Sequence, residues 1–338
     1  MSPTPRWAAR VSAVLVTGGA GYIGSHVTRL LAERGDTVVV VDNLSTGFAK
    51  AVIGATLIEG NVGDQALMRQ VIKDHDIDAV CHFAAHIVVP ESVEKPLAYY
   101  GNNTANTRAL LDVCDQAGVK HFIFSSTAAV YGAPRGGIAS EDSPLQPINP
   151  YGWSKLMSEQ MLKDLSHASA LKHVILRYFN VAGAEPEGRL GQSTPQATHL
   201  IKVAAEHVVG QRDGLAIFGD DYDTPDGTCV RDYIHVEDLA LAHLAALDYL
   251  RQGQPSRTLN CGYGRGHSVK EVLEVVERVA EQPLNITQAP RRAGDPGTLI
   301  AQAERIVETL DWAPRHDDIE TIVRSAIDWE RRLHSSPS

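Results

Sequence analysis

Cysteine is scarce in this chain and scattered along it. Cys81, Cys114, Cys229 and Cys261 form no C-x-x-C pair, so a zinc knuckle and a disulfide scaffold both lack support, and reduced thiols in a cytoplasmic protein are the plain reading. Long apolar runs are missing as well: none approaches the ~18 residues from which a membrane-spanning helix is read. The start, MSPTPRWAAR, carries two arginines. The apolar VSAVLV that follows is shorter than a signal peptide wants, and it runs straight into Thr17-Gly18-Gly19. Positive charge is the minority, with 31 Lys+Arg against 41 Asp+Glu and a formal net charge of −10, and no long basic run occurs. Nucleic acid and anionic membrane both need a positive footprint, so the balance argues against them as partners. A phosphorylated small ligand is not, since it needs only a few local cations. Internal repeats and low-complexity tracts are absent.

What is present is a globular composition, 43% hydrophobic and 21% charged over 338 residues. At roughly 150 residues per domain this length predicts about two domains, and it buries a core without metals or cross-links. In the first half, short β-branched runs alternate with amphipathic stretches. Strands are expected at Val11–Thr17, Thr37–Val41, Thr56–Glu59, Ala79–Phe83, His121–Ser125 and His173–Tyr178, and helices at Tyr22–Arg34, Asp64–Lys73, Thr104–Gln116 and Tyr151–Leu165. Buried runs such as TVVVV and HFIFS, separated by helices, predict a parallel sheet covered on both faces, a Rossmann-type doubly wound α/β fold. After Asn180 proline, glycine and acidic residues thicken, with helices expected at Leu200–Val209, Val236–Tyr249 and Val269–Val279, the last opened by a Ser268-x-x-Glu271 capping box. The expected division is a dinucleotide-binding domain over 11–180, to which a segment near 233–262 returns, and a smaller substrate lobe over 181–335.

The strongest local signal is Thr17-Gly18-Gly19-Ala20-Gly21-Tyr22-Ile23-Gly24, where a strand ends and a helix begins. Such glycines allow a sharp turn, close approach of backbone N–H groups to a pyrophosphate, and tight helix–sheet packing. The helix N-terminus then faces the anion with unsatisfied donors. The next strand ends in Asp42, 24 residues after Gly18; a carboxylate there accepts from ribose hydroxyls and repels a 2′-phosphate, which favours NAD over NADP. The alternative is a glycine-rich turn with no ligand. Strand, glycine triplet, helix and terminal acid together weigh against it.

Tyr151-Gly152-Trp153-Ser154-Lys155 follows Pro150 at a helix start, and of the ten tyrosines only Tyr151 has a lysine four residues on. That spacing puts phenol and ammonium on one helical face. A phenol with a pKa of about 10 is a poor base at neutral pH, and a fixed cation beside it is expected to favour the phenolate. Alone, Y-x-x-x-K more often marks an amphipathic surface. Ahead of it, Ser125-Ser126-Thr127 closes a strand whose carboxyl end is where open α/β sheets bind ligands; a hydroxyl from Ser126 or Thr127 there could relay a proton, or could simply cap the next turn.

Together these elements resemble the extended short-chain dehydrogenase/reductase superfamily, and more narrowly the UDP-glucose (UDP-galactose) 4-epimerases. Collinear segments carry the likeness along nearly the whole chain: TGGAGYIGSH at 17–26, DNLSTG at 42–47, PESV at 90–93, YYGNN at 99–103, RYFN at 177–180, AIFG at 216–219, DGT at 226–228, VRDYIHV at 230–236 and RRAGD at 291–295. The resemblance implies tightly held NAD and no net oxidation. Tyr151 would exchange the proton of the sugar 4-hydroxyl, Lys155 would hold the nicotinamide ribose and tune Tyr151, and Thr127 would share the proton path. NAD would lie along Gly18, Gly21, Tyr22, Ile23 and Gly24, then Asp42, Asn43, Leu44, Ser45, Thr46 and Gly47. Asn61, Val62, Phe83, Ala84, Ala85, Ile87, Asn102, Ser125, Tyr178 and Phe179 would complete its site. Asn180, Arg231 and Arg292 would grip the substrate pyrophosphate, with His199 and Leu200 beside them. Ala216, Ile217 and Phe218 would hold the uracil and Asp295 the ribose, and Leu299 would bound the sugar. A homodimer through helices flanking the sheet, with Thr104–Gln116 and Tyr151–Leu165 as candidates, is implied too.

The chain departs from the family at several points. Asn61 stands where an aspartate is common, Ile87 and Pro90 replace a lysine and a glycine, and His199 replaces an asparagine. Leu299, intermediate in size among family members, leaves N-acetylated hexoses open. A 4-epimerase of UDP-N-acetylglucosamine, UDP-glucuronate or a UDP-pentose is the main alternative. A nucleotide-sugar dehydratase needs an Asp-Glu pair after the threonine, where this chain has Ala128 and Ala129. A noncatalytic NAD-binding protein would have no use for Thr127, Tyr151 and Lys155 together. His82 and His86 have ligand-like spacing, but His82 falls in a buried strand and both read as structural, with no metal.

Overall fold

The computed structural model describes residues 13–335 except 196 and 293. Val11 and Ser12 of the first expected strand lie outside these residues. The first half runs β1 (Ala13–Thr17), α1 (Tyr22–Arg34), β2 (Thr37–Asp42), β3 (Thr56–Glu59), α2 (Gln65–Asp74), β4 (Ile77–His82), α3 (Val89–Glu94), α4 (Pro96–Tyr99), a π-helical turn (Tyr100–Ala105), α5 (Asn106–Ala117) and β5 (His121–Thr127). A 3₁₀ turn (Ala128–Tyr131), β6 (Ile138–Ala139), α6 (Pro150–Ala168), β7 (Lys172–Tyr178) and β8 (Asn180–Ala182) follow. Beyond them come α7 (Leu200–Val208), β9 (Leu215–Phe218), β10 (Val230–His235), α8 (Val236–Arg251), β11 (Arg257–Cys261), β12 (Gly266–Ser268) and α9 (Val269–Ala280). The chain ends with β13 (Ile286–Ala289), β14 (Thr298–Ala301), α10 (Glu304–Leu310) and α11 (Ile319–Ser335).

Seven strands form one parallel sheet in the order β11-β7-β5-β4-β1-β2-β3. The strands are apolar on both faces because both faces are covered. Val14 and Val16 of β1 pack toward α1 and α8, while Leu15 packs toward the side of α2, α5 and α6 with Met68, Leu110 and Leu162. The fold class read from the sequence is what the chain adopts. The strand order reverses between β1 and β4, and a ligand crevice opens outside the carboxyl ends at such a reversal. The 233–262 segment supplies α8, which packs on α1, β5 and β7, and β11, which extends the sheet beside β7.

The remaining chain builds a separate apolar cluster from α7, α9, α11, β9 and β10. The capping box at Ser268 and Glu271 is formed in both directions. Helices at 89–99 had no clear periodic signal, and the π turn inserted before α5 moves that helix's start two residues past the expected Thr104. All four cysteines are buried and unbridged. His82 sits between Thr17 and Thr107, its Nδ1 2.6 Å from one hydroxyl and its Nε2 2.9 Å from the other. Among the described residues no helix is long and apolar enough to cross a membrane.

Candidate active site

One continuous cleft runs along the carboxyl ends of the sheet from the glycine loop to Arg292. At its first end, β1 stops where Thr17 O accepts the N–H groups of Phe83 and Ala84 (2.9 and 3.1 Å), and Gly18 N–H donates to Val41 O at 2.9 Å. The loop is thereby pinned to both neighbouring strands. A Cβ on Gly24 would lie 2.3 Å from Gly18 O, so only glycine lets α1 begin this close to the turn. Gly21 caps α1 without any side-chain acceptor, leaving first-turn N–H groups facing the cleft for an anion. The Asp42 carboxylate accepts from Ala20 N–H (3.0 Å) and Leu44 N–H (2.8 Å), which aims its remaining lone pairs into the cleft. These features fit a dinucleotide, with the pyrophosphate on the glycine turn and a ribose at Asp42.

The candidate acid–base side chains Thr127 and Tyr151 line the same cleft. Asn149 caps α6 by accepting Gly152 N–H at 2.9 Å, and Pro150 occupies the first turn. A Cβ on Gly152 would meet Ala129 O at 2.7 Å, so α6 presses directly on the 3₁₀ turn after Thr127. That contact brings the Tyr151 phenol into the neighbourhood of the Thr127 hydroxyl, which accepts Ala129 N–H at 3.1 Å. Tyr99 meets the Tyr151 ring edge-on at 6.5 Å. Lys155 lies behind the wall: its Nζ donates to Ser125 O at 2.9 Å and sits 5.0 Å from the Phe124 ring. Ser125 Oγ is 2.9 Å from Nε2 of His243 on α8.

Charge at this point differs from the simple expectation. Burial pushes the Tyr151 phenol up to about 12, opposed by the nearby Thr127 hydroxyl. Burial also pushes the Lys155 ammonium down to about 8, with Glu159 opposing. In the protein alone, desolvation outweighs the expected acidification of Tyr151, and the Lys155 ammonium is committed to a carbonyl rather than to the phenol.

At the far end, Arg231 and Asp295 approach at 3.6 Å across the cleft, and Arg231 also donates to Val230 O (2.9 Å). The Arg292 guanidinium covers the Phe218 ring at 3.7 Å. His199 precedes α7 and its Nδ1 lies 3.0 Å from Gln192 Nε2; burial lowers its pKa. Because that nitrogen accepts from the amide, the other one carries the proton and is a donor.

Of the residues expected in the site, Gly18, Gly21, Tyr22, Ile23, Gly24, Asp42, Asn43, Ser45, Thr46, Asn61, Val62, Phe83, Ala84, Ala85, Ile87, Asn102, Thr127, Tyr151, Tyr178, Phe179, Asn180, His199, Arg231, Arg292, Asp295 and Leu299 line the cleft. Leu44, Gly47, Ser125, Lys155, Leu200, Ala216, Ile217 and Phe218 stand outside this lining: Lys155 and Ser125 brace the wall from behind, and Phe218 lies under Arg292. Sequence reasoning missed Gln192, which carried no motif and is recognisable only through its contact with His199, and Asn149, whose signal was the Asn-Pro pair at the helix start.

A profile for the NAD dependent epimerase/dehydratase family matches residues 14–262. A UDP-glucose 4-epimerase of Azospirillum brasilense is 59% identical over 324 residues, covering 96% of this chain and 93% of that protein. The solved UDP-Glc/GlcNAc 4-epimerase of Campylobacter jejuni is 52% identical with a TM-score of 0.83, covering 95% of this chain and 99% of that one. A Bifidobacterium longum UDP-glucose 4-epimerase, solved with NAD+ and UDP, is 39% identical with a TM-score of 0.91, covering 95% and 98%. With a dinucleotide turn, a buried Tyr–Thr pair and a cationic far end in one cleft, this chain belongs to the NAD dependent epimerase/dehydratase family.

Proposed function

We propose that the chain interconverts UDP-glucose and UDP-galactose. NAD supplies the acceptance of the C4 hydride and its return to the opposite face of the sugar. Tyr151 takes the proton of the C4 hydroxyl as the 4-ketose forms and gives it back as the hydroxyl is restored, with Thr127 sharing the proton path. Lys155, tied to Ser125 O behind the cleft wall, would hold the nicotinamide ribose and keep a positive charge near the reacting oxygen. Arg231, Arg292, Asn180 and the donor nitrogen of His199 bind the diphosphate. Arginine suits that role because it offers several fixed donors to oxygen. Binding energy drawn from the nonreacting UDP leaves the hexose loosely held, which lets the ketose turn over. Residues 11–180 with the returning 233–262 segment form the NAD-binding unit, and the rest of 181–335 forms the UDP-sugar lobe. The reduced, buried cysteines support a cytoplasmic setting.

The observation that carries this reading is that Tyr151 and Thr127 line the same cleft as the glycine loop, Arg231 and Arg292. Leu299, 8% exposed and packed with Tyr131 and Phe179, walls the same cleft. A side chain of this intermediate size leaves UDP-N-acetylhexosamines open as second substrates. A panel of UDP-galactose, UDP-N-acetylgalactosamine and UDP-glucuronate tests both statements. Turnover of UDP-galactose is expected, with measurable turnover of the N-acetyl sugar; activity on UDP-glucuronate alone would overturn the assignment.

The chain is further proposed to be a homodimer. Val93, Leu97, Trp153 and Met157 are exposed apolar residues, Leu97 81% so, on α3, α4 and α6, which pack together. Apolar exposure concentrated in this way marks an interaction face. Sedimentation is expected to give twice the chain mass, and a Leu97→Glu/Met157→Glu double variant to shift toward the monomer; a monomeric wild type contradicts the proposal.

A further inference from the structure

Directly behind the reacting side chains lies a fully buried ion pair. Glu159, one helical turn beyond Lys155 on α6, is 0% exposed, and Arg177 on β7 is 1% exposed. Arg177 binds both carboxylate oxygens, Nε to Oε1 at 2.9 Å and Nη2 to Oε2 at 2.6 Å. Ser126 Oγ donates to Oε1 at 2.6 Å, and Lys163 approaches Oε2 at 3.2 Å. The third arm of Arg177 donates to Tyr131 Oη at 3.0 Å, and Tyr131 donates to Asn260 Oδ1 on β11 at 2.6 Å. One connected set of hydrogen bonds thus joins α6, β5, β7, the 3₁₀ turn and β11.

Stability alone is a poor reason for such a pair. Apolar side chains of similar volume often stabilise a core as well or better, because two ions must lose their hydration. What sets this pair apart is where it is attached. Ser126 stands between Ser125, whose carbonyl holds Lys155, and Thr127, whose hydroxyl meets the Tyr151 phenol. Arg177 precedes Tyr178, which sits opposite Thr127 in the β5–β7 register. We infer that Glu159 is a positioning residue for the epimerase reaction: clamped by Arg177 and Ser126, it holds the Ser125–Thr127 strand end in register with the helix that carries Tyr151 and Lys155.

The same carboxylate is the nearby anion that supports the Lys155 charge against burial. The other groups facing the two residues are Arg177 and His173 from β7, Lys163 from α6, Tyr131 from the 3₁₀ turn and His82 from β4. Burial holds His82 at about 3 and His173 at about 4, so both stay neutral around pH 8, where Lys155 titrates.

The inference rests on the assignment of Tyr151 and Lys155, and its test includes a Tyr151→Phe control. In NAD-loaded Glu159→Gln, kcat is expected to fall about tenfold, KM for UDP-galactose to stay within about twofold, and the alkaline limb of the pH profile to move to lower pH. Glu159→Met/Arg177→Met, which keeps volume without charge, is expected to melt near the wild-type temperature and to show the same loss. A folded variant of either kind with wild-type kcat and an unmoved limb overturns the inference. Should neither fold, Ser126→Ala removes only one link; a loss of about threefold in kcat is expected, and unchanged kcat refutes the clamp. Full activity in Tyr151→Phe removes the underlying assignment. An inactive control beside fully active Glu159 variants removes this inference alone.

Discussion

Tyr151→Phe is expected to keep NAD bound while kcat falls by about 10²–10⁴-fold, the range a positioned acid–base group contributes. The substitution deletes one oxygen and keeps the ring, which is 7% exposed and packed edge-on against Tyr99, so folding and dinucleotide binding should survive. Thr127 would retain its bond to Ala129 N–H and lose only the neighbouring phenol oxygen. Since the phenol bonds substrate mainly as the proton moves, KM for UDP-galactose is expected to change far less than kcat. Released NAD, measured on denatured protein, separates loss of chemistry from loss of cofactor. Unchanged turnover with NAD present would remove Tyr151 from its role.

Lys155→Met is the second large effect, with an expected loss of about 10²-fold or more in kcat. Methionine keeps the apolar stem against Phe124 but leaves Ser125 O without its donor and removes the buried charge. The pH dependence follows from the direction of the shift. Burial lowers Lys155 to about 8; below that value the ammonium prevails, and as pH rises through it the positive charge is lost. Wild-type kcat should therefore decline on the alkaline side of about pH 8, and the decline should vanish in Lys155→Met. An alkaline limb that persists unchanged in the variant would assign it to another group.

Much of this site was legible because its signals are local. The glycine turn, Asp42 at the end of β2, and Tyr151 with Lys155 at a helix start each occupy a few consecutive residues whose spacing states their geometry. The sheet was legible for the same reason, since runs such as TVVVV are apolar on both faces only when both are covered. The less legible features depend on residues far apart in the chain. Gln192 fixes the ring of His199 across a loop, and His243 reaches Ser125 across 118 positions. The Glu159–Arg177 pair joins a helix to the following strand with no motif at either partner. Helices at 89–99 and the π turn that brings Asn102 to the cleft lack a clean 3.6-residue pattern. The ionisation of Tyr151 is less legible for a related reason. A neighbouring lysine is visible in sequence, whereas the degree of burial that outweighs it is a property of the packed fold.

The central claim is that one bound dinucleotide takes hydrogen from a UDP-hexose and returns it within the same cleft. The most direct measurement incubates the purified protein, with whatever dinucleotide it retains, in UDP-galactose without added cofactor. UDP-glucose should appear over many turnovers with no accumulation of NADH. Protein that releases no NAD on denaturation, and that forms no UDP-glucose even when NAD is supplied, would contradict the account.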